Sequence, residues 1–194
     1  GDFKFKDING DTVINSEDRT YIGNPLPDFT FGFSLNVNYK NFDLNANFYG
    51  MAGNEVVNVT KYYLMGGIST TNKLVDAAEY WSEANTDSKN PRIGVNRNDN
   101  MRFSDYFVED GSFLRLKTIT LGYTLPDKLS SKMKMTNLRF YFTAQNLFTL
   151  TKYSGQEPEV GSSVGWSAHP LDFGVDNTTY PHPRVMMIGL NASF

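Results

Sequence analysis

The stretch RVMMIGLNASF, residues 184–194, decides the fold that the sequence predicts. In an extended strand the side chains alternate between two faces, so one face of this stretch is apolar up to the last residue. That face carries Met186, Ile188, Leu190, Ala192 and Phe194. Chain ends of soluble domains usually fray into solvent, whereas the last strand of a transmembrane β-barrel closes the cylinder. We therefore predict a closing barrel strand, in which Ile188, Leu190, Ala192 and Phe194 form a barrel-terminal insertion signal.

The composition of the 194 residues excludes several kinds of protein. Cysteine is absent, which excludes disulfides and thiolate metal sites. The formal net charge of -3 argues against a general nucleic-acid partner. No apolar run approaches the ~20 residues of a transmembrane helix. A mean hydropathy of -0.41 suits a soluble domain and a barrel alike, because only alternate residues of a barrel strand face lipid.

Residues 7–18, DINGDTVINSED, have the spacing of a twelve-residue calcium loop. The predicted oxygen ligands are Asp7, Asn9, Asp11, the carbonyl of Val13, Asn15 and Asp18. Two positions depart from the pattern, because Thr12 replaces the usual glycine and Asp18 the usual glutamate. We predict a structural Ca²⁺ within an extracellular segment, residues 1–27; an Asp/Asn-rich turn without metal is the alternative.

Four further stretches alternate apolar and polar side chains with a period of two, as strands with one apolar face do. With the last stretch, the predicted strands are 28–39, 42–50, 112–125, 138–150 and 184–194. In the third strand Arg115 and Lys117 fall on the otherwise apolar face, and in the fourth Asn146 interrupts that face. Residues 50–111 and 151–183 are predicted to be long loops, the first with a short helix near 73–81.

Loop length and aromatic placement favour a barrel over a sandwich. The two long loops and residues 1–27 fall on one side of the predicted sheet, and the short turns fall on the other, as in outer-membrane barrels. Aromatic residues cluster near both ends of the apolar face, as at two membrane interfaces. Near the short turns they are Tyr39, Phe42, Tyr123, Phe140 and Phe194; near the long loops they are Phe29, Phe31, Phe48, Phe113 and Phe148.

The predicted strands have the length of a membrane span but are too few for a barrel. From Phe29 to Tyr39 is about 33 Å along a strand, or roughly 24 Å of the membrane normal at a tilt of about 45°. The smallest barrels have about eight strands, and an open edge cannot be left in lipid. The predicted fold is therefore all-β, with antiparallel strands over 28–194 forming the C-terminal part of a large transmembrane β-barrel with long extracellular loops.

The chain resembles the C-terminal segment of SusC/RagA-family TonB-dependent outer-membrane transporters of Bacteroidota. The matching stretches are DINGDTVINSEDRTYIGNPLPDFTFGF (7–33), YKNFDL (39–44), EDGSFLRLKTITLGYTLP (109–126), LRFYFTAQNLFTLTKYSGQEPEV (138–160) and YPHPRVMMIGLNASF (180–194). The resemblance implies a barrel of about 22 strands with an N-terminal plug. It also implies a TonB contact through the missing N-terminal part, a SusD-like surface lipoprotein as a lid, and import of oligosaccharides or peptides.

Aromatic residues in the long loops are candidate contacts to sugar rings or to a partner protein. They are Tyr62, Tyr63, Tyr80, Trp81 and Trp166, and packing inside a folded loop is the alternative for each. A second class of function, a calcium-stabilised secreted β-sandwich binding module or adhesin, predicts apolar faces that pack together. An enzyme is the weakest prediction, because the loop carboxylates lack a base partner and no nucleophile elbow, P-loop or HExxH motif is present.

Overall fold

The computed structural model describes residues 1–65, 72–93, 98–161 and 172–194. The chain divides into two compact units. The unit that we call the sheet unit comprises Pro27–Gly53, Gly111–Lys152 and Tyr180–Phe194. The other, the loop unit, comprises Gly1–Leu26, Asn54–Asp110 and Tyr153–Thr179.

Most of the regular structure is extended. In chain order the strands are β1 (Phe29–Tyr39), β2 (Phe42–Ala52), β3 (Glu55–Asn58), β4 (Val108–Asp110), β5 (Phe113–Thr124), β6 (Asn137–Thr151), β7 (Val175–Asp176) and β8 (Val185–Ser193). The α-helices are α1 (Val59–Met65) and α2 (Asp127–Ser130). Short 3-10 helices lie at Ser16–Asp18, Val75–Ala78, Asn98–Met101, Asp105–Phe107 and Ser131–Met133. In the described ranges, no helix has the length and apolar character needed to cross a membrane.

The sheet unit is a five-stranded antiparallel sheet in the order β1-β2-β5-β6-β8. Its strands begin and end within one or two residues of the bounds that the alternation indicates. The turn between β1 and β2 contains only Lys40 and Asn41, and Lys40 adopts a positive φ of 52°. The Asn41 amide group donates to the carbonyl of Thr124 at 2.8 Å, which fastens this turn to the end of β5.

The strand register arranges the apolar side chains in rows across the sheet. The row nearest the short turns contains Tyr39, Phe42, Tyr123, Phe140 and Leu190. A central row contains Leu35, Ala46, Ile119, Ala144 and Met186. A row nearer the long connections contains Phe33, Phe48, Leu116 and Phe148, with the first two rings stacked at 4.4 Å. Aromatic rows thus flank an aliphatic one.

The prediction that Arg115 and Lys117 lie on the apolar face is wrong. On β2, Asn47 pairs with Thr118 and the next residue, Phe48, pairs with Leu116, so Lys117 is an extra residue in β5. Such a β-bulge reverses the alternation on one side of it. Leu116 therefore takes the apolar face, and Arg115 takes the polar one.

Phe113 is displaced by the same bulge and does not belong to the aromatic group near the long loops. It lies on the polar face, is 4% exposed and meets the ring of Tyr49 edge-on at 5.9 Å. In β6 the matching register irregularity contains Asn146, which has a positive φ of 51°. The polar side chain of Asn146 at an apolar position therefore marks the point where the pairing of β5 with β6 is interrupted.

The long connection from residue 50 to 111 contains regular structure that the sequence did not predict. β3 pairs antiparallel with β4 and parallel with β7, in a three-stranded sheet. α1 follows β3 directly, whereas the helix predicted near 73–81 is a 3-10 turn at Val75–Ala78. These strands contain only two to four residues, too few to show a hydrophobic period.

Candidate functional site

The polar face of the sheet carries hydrogen bonds between side chains, both across neighbouring strands and along one strand. Ser34 Oγ donates to Asn47 Oδ1 at 2.7 Å, and Asn47 Nδ2 donates to Asn45 Oδ1 at 2.7 Å. On β5 and β6, the hydroxyl oxygens of Thr120 and Thr143 lie 2.9 Å apart. These uncharged groups satisfy one another along the face, and their spare lone pairs and N–H groups suit contact with water or a polar solute.

A bidentate ion pair crosses three strands of this face. Arg139 Nε donates to Asp43 Oδ1 at 2.9 Å, and its Nη2 donates to Oδ2 at 2.6 Å. Arg139 lies on β6 and Asp43 on β2, so the pair passes over β5 at Gly122. A Cβ at that glycine would lie 2.3 Å from both the guanidinium and the carboxylate. A side chain at this position would therefore displace the guanidinium or the carboxylate from the pair.

Arg115 is a buried cation on the polar face that sequence reasoning placed on the wrong side. Its Nε donates to Thr149 Oγ1 at 2.9 Å, and its Nη1 lies 3.2 Å from Nδ1 of His182. His182, which precedes β8, therefore contacts a side chain of β5. The period of two assigned Arg115 to the other face, so the sequence did not predict that it meets Thr149 and His182.

In the loop unit, Glu109 joins chain segments that are distant in sequence. Its Oε1 accepts the hydroxyl of Ser154 at 2.9 Å and lies 3.3 Å from the ammonium of Lys61. Its Oε2 accepts the backbone N–H of Ser154 at 2.9 Å. Burial opposes ionisation of this carboxyl, but the two bonds from Ser154 and the charge of Lys61 hold the pKa of Glu109 below its usual value of 4.5.

Replacing Glu109 by glutamine is expected to loosen the segment at Ser154. Because the pKa is lower in the folded state, the ionised carboxylate contributes stability that is complete above pH 4.5 and is lost as the pH falls through the folded-state pKa. Hydrogen exchange of the Ser154 amide in the full-length protein should be faster in Glu109→Gln than in wild type at neutral pH, and the difference should vanish in acid. Glu79→Gln, an exposed carboxylate of the same unit, is the control. Equal exchange at neutral pH in both variants would contradict this role of Glu109.

The predicted contact residues Tyr62 and Tyr63 belong to one aromatic cluster. The Tyr62 ring stacks on Phe103 at 4.6 Å and an interplanar angle of 3°, and it meets Tyr63 and Phe107 edge-on at 5.3 Å each. Tyr63 is 55% exposed and Phe103 58% exposed, whereas Phe107 is buried. Tyr62 is therefore a packing residue that supports two exposed rings, of which Phe103 was not predicted.

Tyr80 and Trp81 lie on another segment of the loop unit. Tyr80 forms an isolated parallel β-bridge with Asn90, and the backbone N–H of Trp81 donates to the carbonyl of Asn90 at 3.1 Å. The Trp81 indole packs on Gly1, where a Cβ would lie 2.3 Å from the ring. Neither ring forms an aromatic pair within the described ranges. Trp166 lies outside the described residues.

The backbone of the predicted calcium loop turns sharply around Asp7. This carboxylate accepts the N–H of Gly10 at 2.6 Å and that of Thr12 at 2.8 Å. Thr12 stands where calcium loops have glycine, and it adopts the same left-handed backbone, with a φ of 66°. The backbone therefore fits a calcium loop in spite of the substitution.

The end of the loop is held by Asp18, whose carboxylate accepts the N–H groups of Asn15 and Ile8 at 2.8 Å each. These two backbone bonds, first from Asn15 and then from Ile8, hold the pKa of Asp18 below its usual value. Asn9 Nδ2 donates to Asp11 Oδ2 at 3.0 Å. Among the described residues, no three acidic side chains of this loop bring one oxygen each within 4.8 Å of one another. Binding of one ion would therefore require these side chains to turn inward.

The apolar face of the sheet is exposed, which excludes the β-sandwich alternative for this unit. Tyr39 on β1 is 66% exposed and Ile188 on β8 is 87% exposed. Leu190 and Phe194 of the predicted insertion signal are exposed as well. In a sandwich these side chains would interdigitate with a second sheet. An uncovered apolar face opposite a hydrogen-bonded polar face is the arrangement of a barrel wall in lipid.

Known proteins with a similar sequence and fold are outer-membrane receptors. No protein-family model matches the chain. Over 98% of its length the chain is 37% identical to TonB-dependent receptor P3 of Formosa agariphila. It is 31% identical, over 98% of its length, to TonB-dependent receptor SusC of Bacteroides thetaiotaomicron. In the solved structure of the RagAB peptide transporter, a chain that is 29% identical matches 94% of this chain with a TM-score of 0.77.

The chain spans only part of these proteins, namely 19% of receptor P3, 17% of SusC and 19% of the matched RagAB chain. The likeness nevertheless includes both units, since nearly all of the chain is aligned. It confirms the antiparallel all-β fold as a piece of a large transmembrane β-barrel, and it confirms the location in the outer membrane. The chain belongs to the SusC/RagA family of TonB-dependent outer-membrane receptors of Bacteroidota.

Proposed function

We propose that this chain forms wall strands and loops of an outer-membrane transporter that imports nutrients. The observation that carries the proposal is the division of the sheet into an exposed apolar face and a polar face of paired side chains. Lipid outside and a polar lumen inside account for both faces. The aromatic row nearest the short turns, and Phe29 and Phe31 at the other end of β1, suit the two membrane interfaces.

The nutrient that we propose is an oligosaccharide or a peptide, and the partners are those of the family. A SusD-like surface lipoprotein would cover the extracellular side, and the TonB complex would act through a part of the receptor outside this chain. The likeness to SusC and to the RagAB peptide transporter supports both partners. We propose no catalytic activity, since these relatives are receptors and transporters.

Contact with ligand or lipoprotein is proposed for the loop unit, through Tyr62, Tyr63, Tyr80, Trp81 and Trp166. The exposed pair Tyr63 and Phe103 supports this proposal most directly, because flat exposed rings stack on sugar rings and on apolar side chains. The terminal apolar residues Ile188, Leu190, Ala192 and Phe194 stay a predicted insertion signal.

The transport proposal is tested in the native bacterium with the complete receptor gene. A deletion strain should lose growth on one class of nutrient, and the intact gene should restore that growth. A tagged receptor purified in mild detergent should bring a SusD-like lipoprotein with it, identified by mass spectrometry. Normal growth of the deletion strain on every oligosaccharide and peptide tested, with no lipoprotein recovered, would contradict the proposal.

We also propose that the loop formed by residues 7–18 binds a structural Ca²⁺ through Asp7, Asn9, Asp11, the Val13 carbonyl, Asn15 and Asp18. The left-handed backbone at Thr12 and the supply of hard oxygen ligands support it. The ion would neutralise the carboxylates and fix the loop, and no further chemistry is assigned to it.

Neutralising two carboxylate ligands is expected to abolish calcium binding. The full-length receptor, washed with chelator and then incubated with micromolar Ca²⁺, should retain about one ion more than the Asp7→Asn/Asp11→Asn variant, because hard-oxygen sites depend on ligand charge. Elemental analysis of the purified protein gives the content. Glu17→Gln removes a carboxylate of the same loop at a position that supplies no ligand, and should bind as wild type does. Equal calcium in wild type and the double variant would show that the loop is a metal-free turn.

A further inference from the structure

The connection between β5 and β6 forms an exposed surface that is both basic and apolar. α2 continues directly into the 3-10 turn Ser131–Met133. Lys128 and Lys132 are exposed basic residues of this segment, and Leu129 and Met133 are exposed apolar ones. Leu129 is 50% exposed and Met133 is 53% exposed. Lys134, which ends the turn, is also exposed. We call Lys128, Leu129, Lys132, Met133 and Lys134 the basic turn.

Three lysines and one aspartate give the segment between β5 and β6 a net positive charge. Asp127 is the one acidic residue in the sequence between β5 and β6. In the part of the chain that the structure describes, none of Lys128, Lys132 and Lys134 makes an ion pair. Exposed Lys40, in the β1–β2 turn, adds a further cation at this end of the sheet.

The basic turn follows closely in sequence on the aromatic row nearest the short turns. β5 ends at Thr124, next to Tyr123 in the aromatic row, and α2 begins at Asp127. In that row the rings of Phe42 and Tyr123 lie 4.7 Å apart. Aromatic rows mark the depth of the lipid headgroups, so the lysines that follow Tyr123 lie at or just outside this depth. Lysine side chains there extend their ammonium groups toward lipid phosphates.

We propose that the basic turn binds anionic phospholipid at the membrane interface on the short-turn side. Leu129 and Met133 enter the upper acyl region, and the three lysine ammonium groups contact the phosphates. Anionic lipid is preferred to zwitterionic lipid because only it brings net negative charge to this net positive segment. The proposal rests on the placement of the sheet in the outer membrane and is independent of the nutrient imported.

The test compares lipid retention by two variants of the full-length receptor. Receptor is reconstituted in nanodiscs of phosphatidylcholine with or without phosphatidylglycerol, released into mild detergent, and examined by native mass spectrometry. Lys128→Gln/Lys132→Gln/Lys134→Gln should bind phosphatidylglycerol at least tenfold more weakly than wild type, since one lysine near an anionic surface changes affinity about fivefold. The control Lys4→Gln/Lys6→Gln/Lys89→Gln removes the same charge from exposed lysines of the loop unit and should retain lipid as wild type does.

Several outcomes would overturn the lipid proposal. Equal retention in both triple variants would do so, as would wild-type retention that does not fall with added salt, because exposed charge interactions are screened. Normal lipid retention combined with loss of a co-purifying acidic protein would assign the basic turn to a protein partner instead.

Folding of each variant is checked by the mobility shift between unheated and heated gel samples. If the triple variant misfolds, the salt dependence of lipid retention by the wild-type receptor still tests the proposal. Loss of nutrient uptake with lipid retention intact would concern the transport proposal alone.

Discussion

Arginine in place of Leu35 is expected to destabilise the receptor by about 2–4 kcal/mol, because it puts a charge on the lipid face of the barrel near the bilayer midplane. Leu35 lies in the central row of the apolar face, beside Ala46 on β2 and between the two aromatic rows. The position has no nearby interface to which a guanidinium can extend. The loss should lower the amount of folded receptor in the outer membrane as well as its unfolding midpoint in urea.

Asn38→Arg is the matched control for this substitution. It adds the same side chain to the same strand, three residues away and on the opposite, polar face. The control should unfold within about 0.5 kcal/mol of wild type if this face is wet. If Leu35→Arg and Asn38→Arg destabilise equally, Leu35 does not face lipid, and the assignment of the two faces fails.

Alanine in place of Gly122 is expected to break the ion pair between Asp43 and Arg139. Its Cβ would lie 2.3 Å from atoms of both partners, so the guanidinium and the carboxylate would separate. Hydrogen bonds to charged groups contribute about 1.5–3 kcal/mol each, and part of this would be recovered through water in the lumen. A net loss of about 1 kcal/mol follows, because both side chains are partly exposed and water screens the pair. Alanine also has less conformational freedom to lose than glycine, so backbone entropy opposes this effect.

Two comparisons isolate the ion pair. Gly32→Ala makes the same change on the polar face of β1, where the new Cβ meets only the Phe48 carbonyl oxygen at 3.4 Å. This variant should match wild type in its unfolding midpoint. In an Asp43→Ala background no ion pair is left to break, so Gly122→Ala should hardly change the free energy of unfolding. An equal cost with and without Asp43 would show that crowding of the backbone, and not the pair, makes glycine necessary.

The positions of the five long strands could be predicted because the sheet has one apolar and one polar face, so apolar and polar residues alternate along each strand. β8 is the clearest case, since Met186, Ile188 and Leu190 pair with Ala144, Phe142 and Phe140 in the alternation expected of them. The register follows from this period, because a slip by one residue would turn every apolar side chain to the polar face.

The bulge at Lys117 was not predictable by the same reasoning. The period of two assigns faces by counting residues along the strand. An extra residue in the ladder moves every side chain beyond it to the other face, and nothing in the composition of the strand shows that residue. Arg115 and Phe113 were therefore assigned to lipid although both are buried on the polar face. The two cations on an apolar face were themselves a signal, since a charge facing lipid is costly.

The loop unit was predicted least well, because its order depends on contacts between distant segments. Glu109 and Ser154 are far apart in sequence, and nothing near either residue indicates that they bond. Tyr62 and Tyr63 were found as exposed-loop aromatics, but their support by Phe103 depends on the tertiary fold. The predicted calcium ligands differ from these contacts because they all come from one continuous stretch, and calcium binding by that stretch stays a prediction.

The most direct test of the barrel assignment is the accessibility of β8 to probes dissolved in lipid and in water. Spin labels are attached at single cysteines placed at Met186, Met187, Ile188, Leu190 and Asn191 of a full-length receptor without other cysteines, in liposomes; this segment contributes none of its own. Labels at 186, 188 and 190 should collide with oxygen, which concentrates in lipid, and labels at 187 and 191 with a water-soluble nickel chelate or with neither probe. Nickel access at 188 and 190 equal to that at 191, without this alternation, would contradict a membrane-spanning strand.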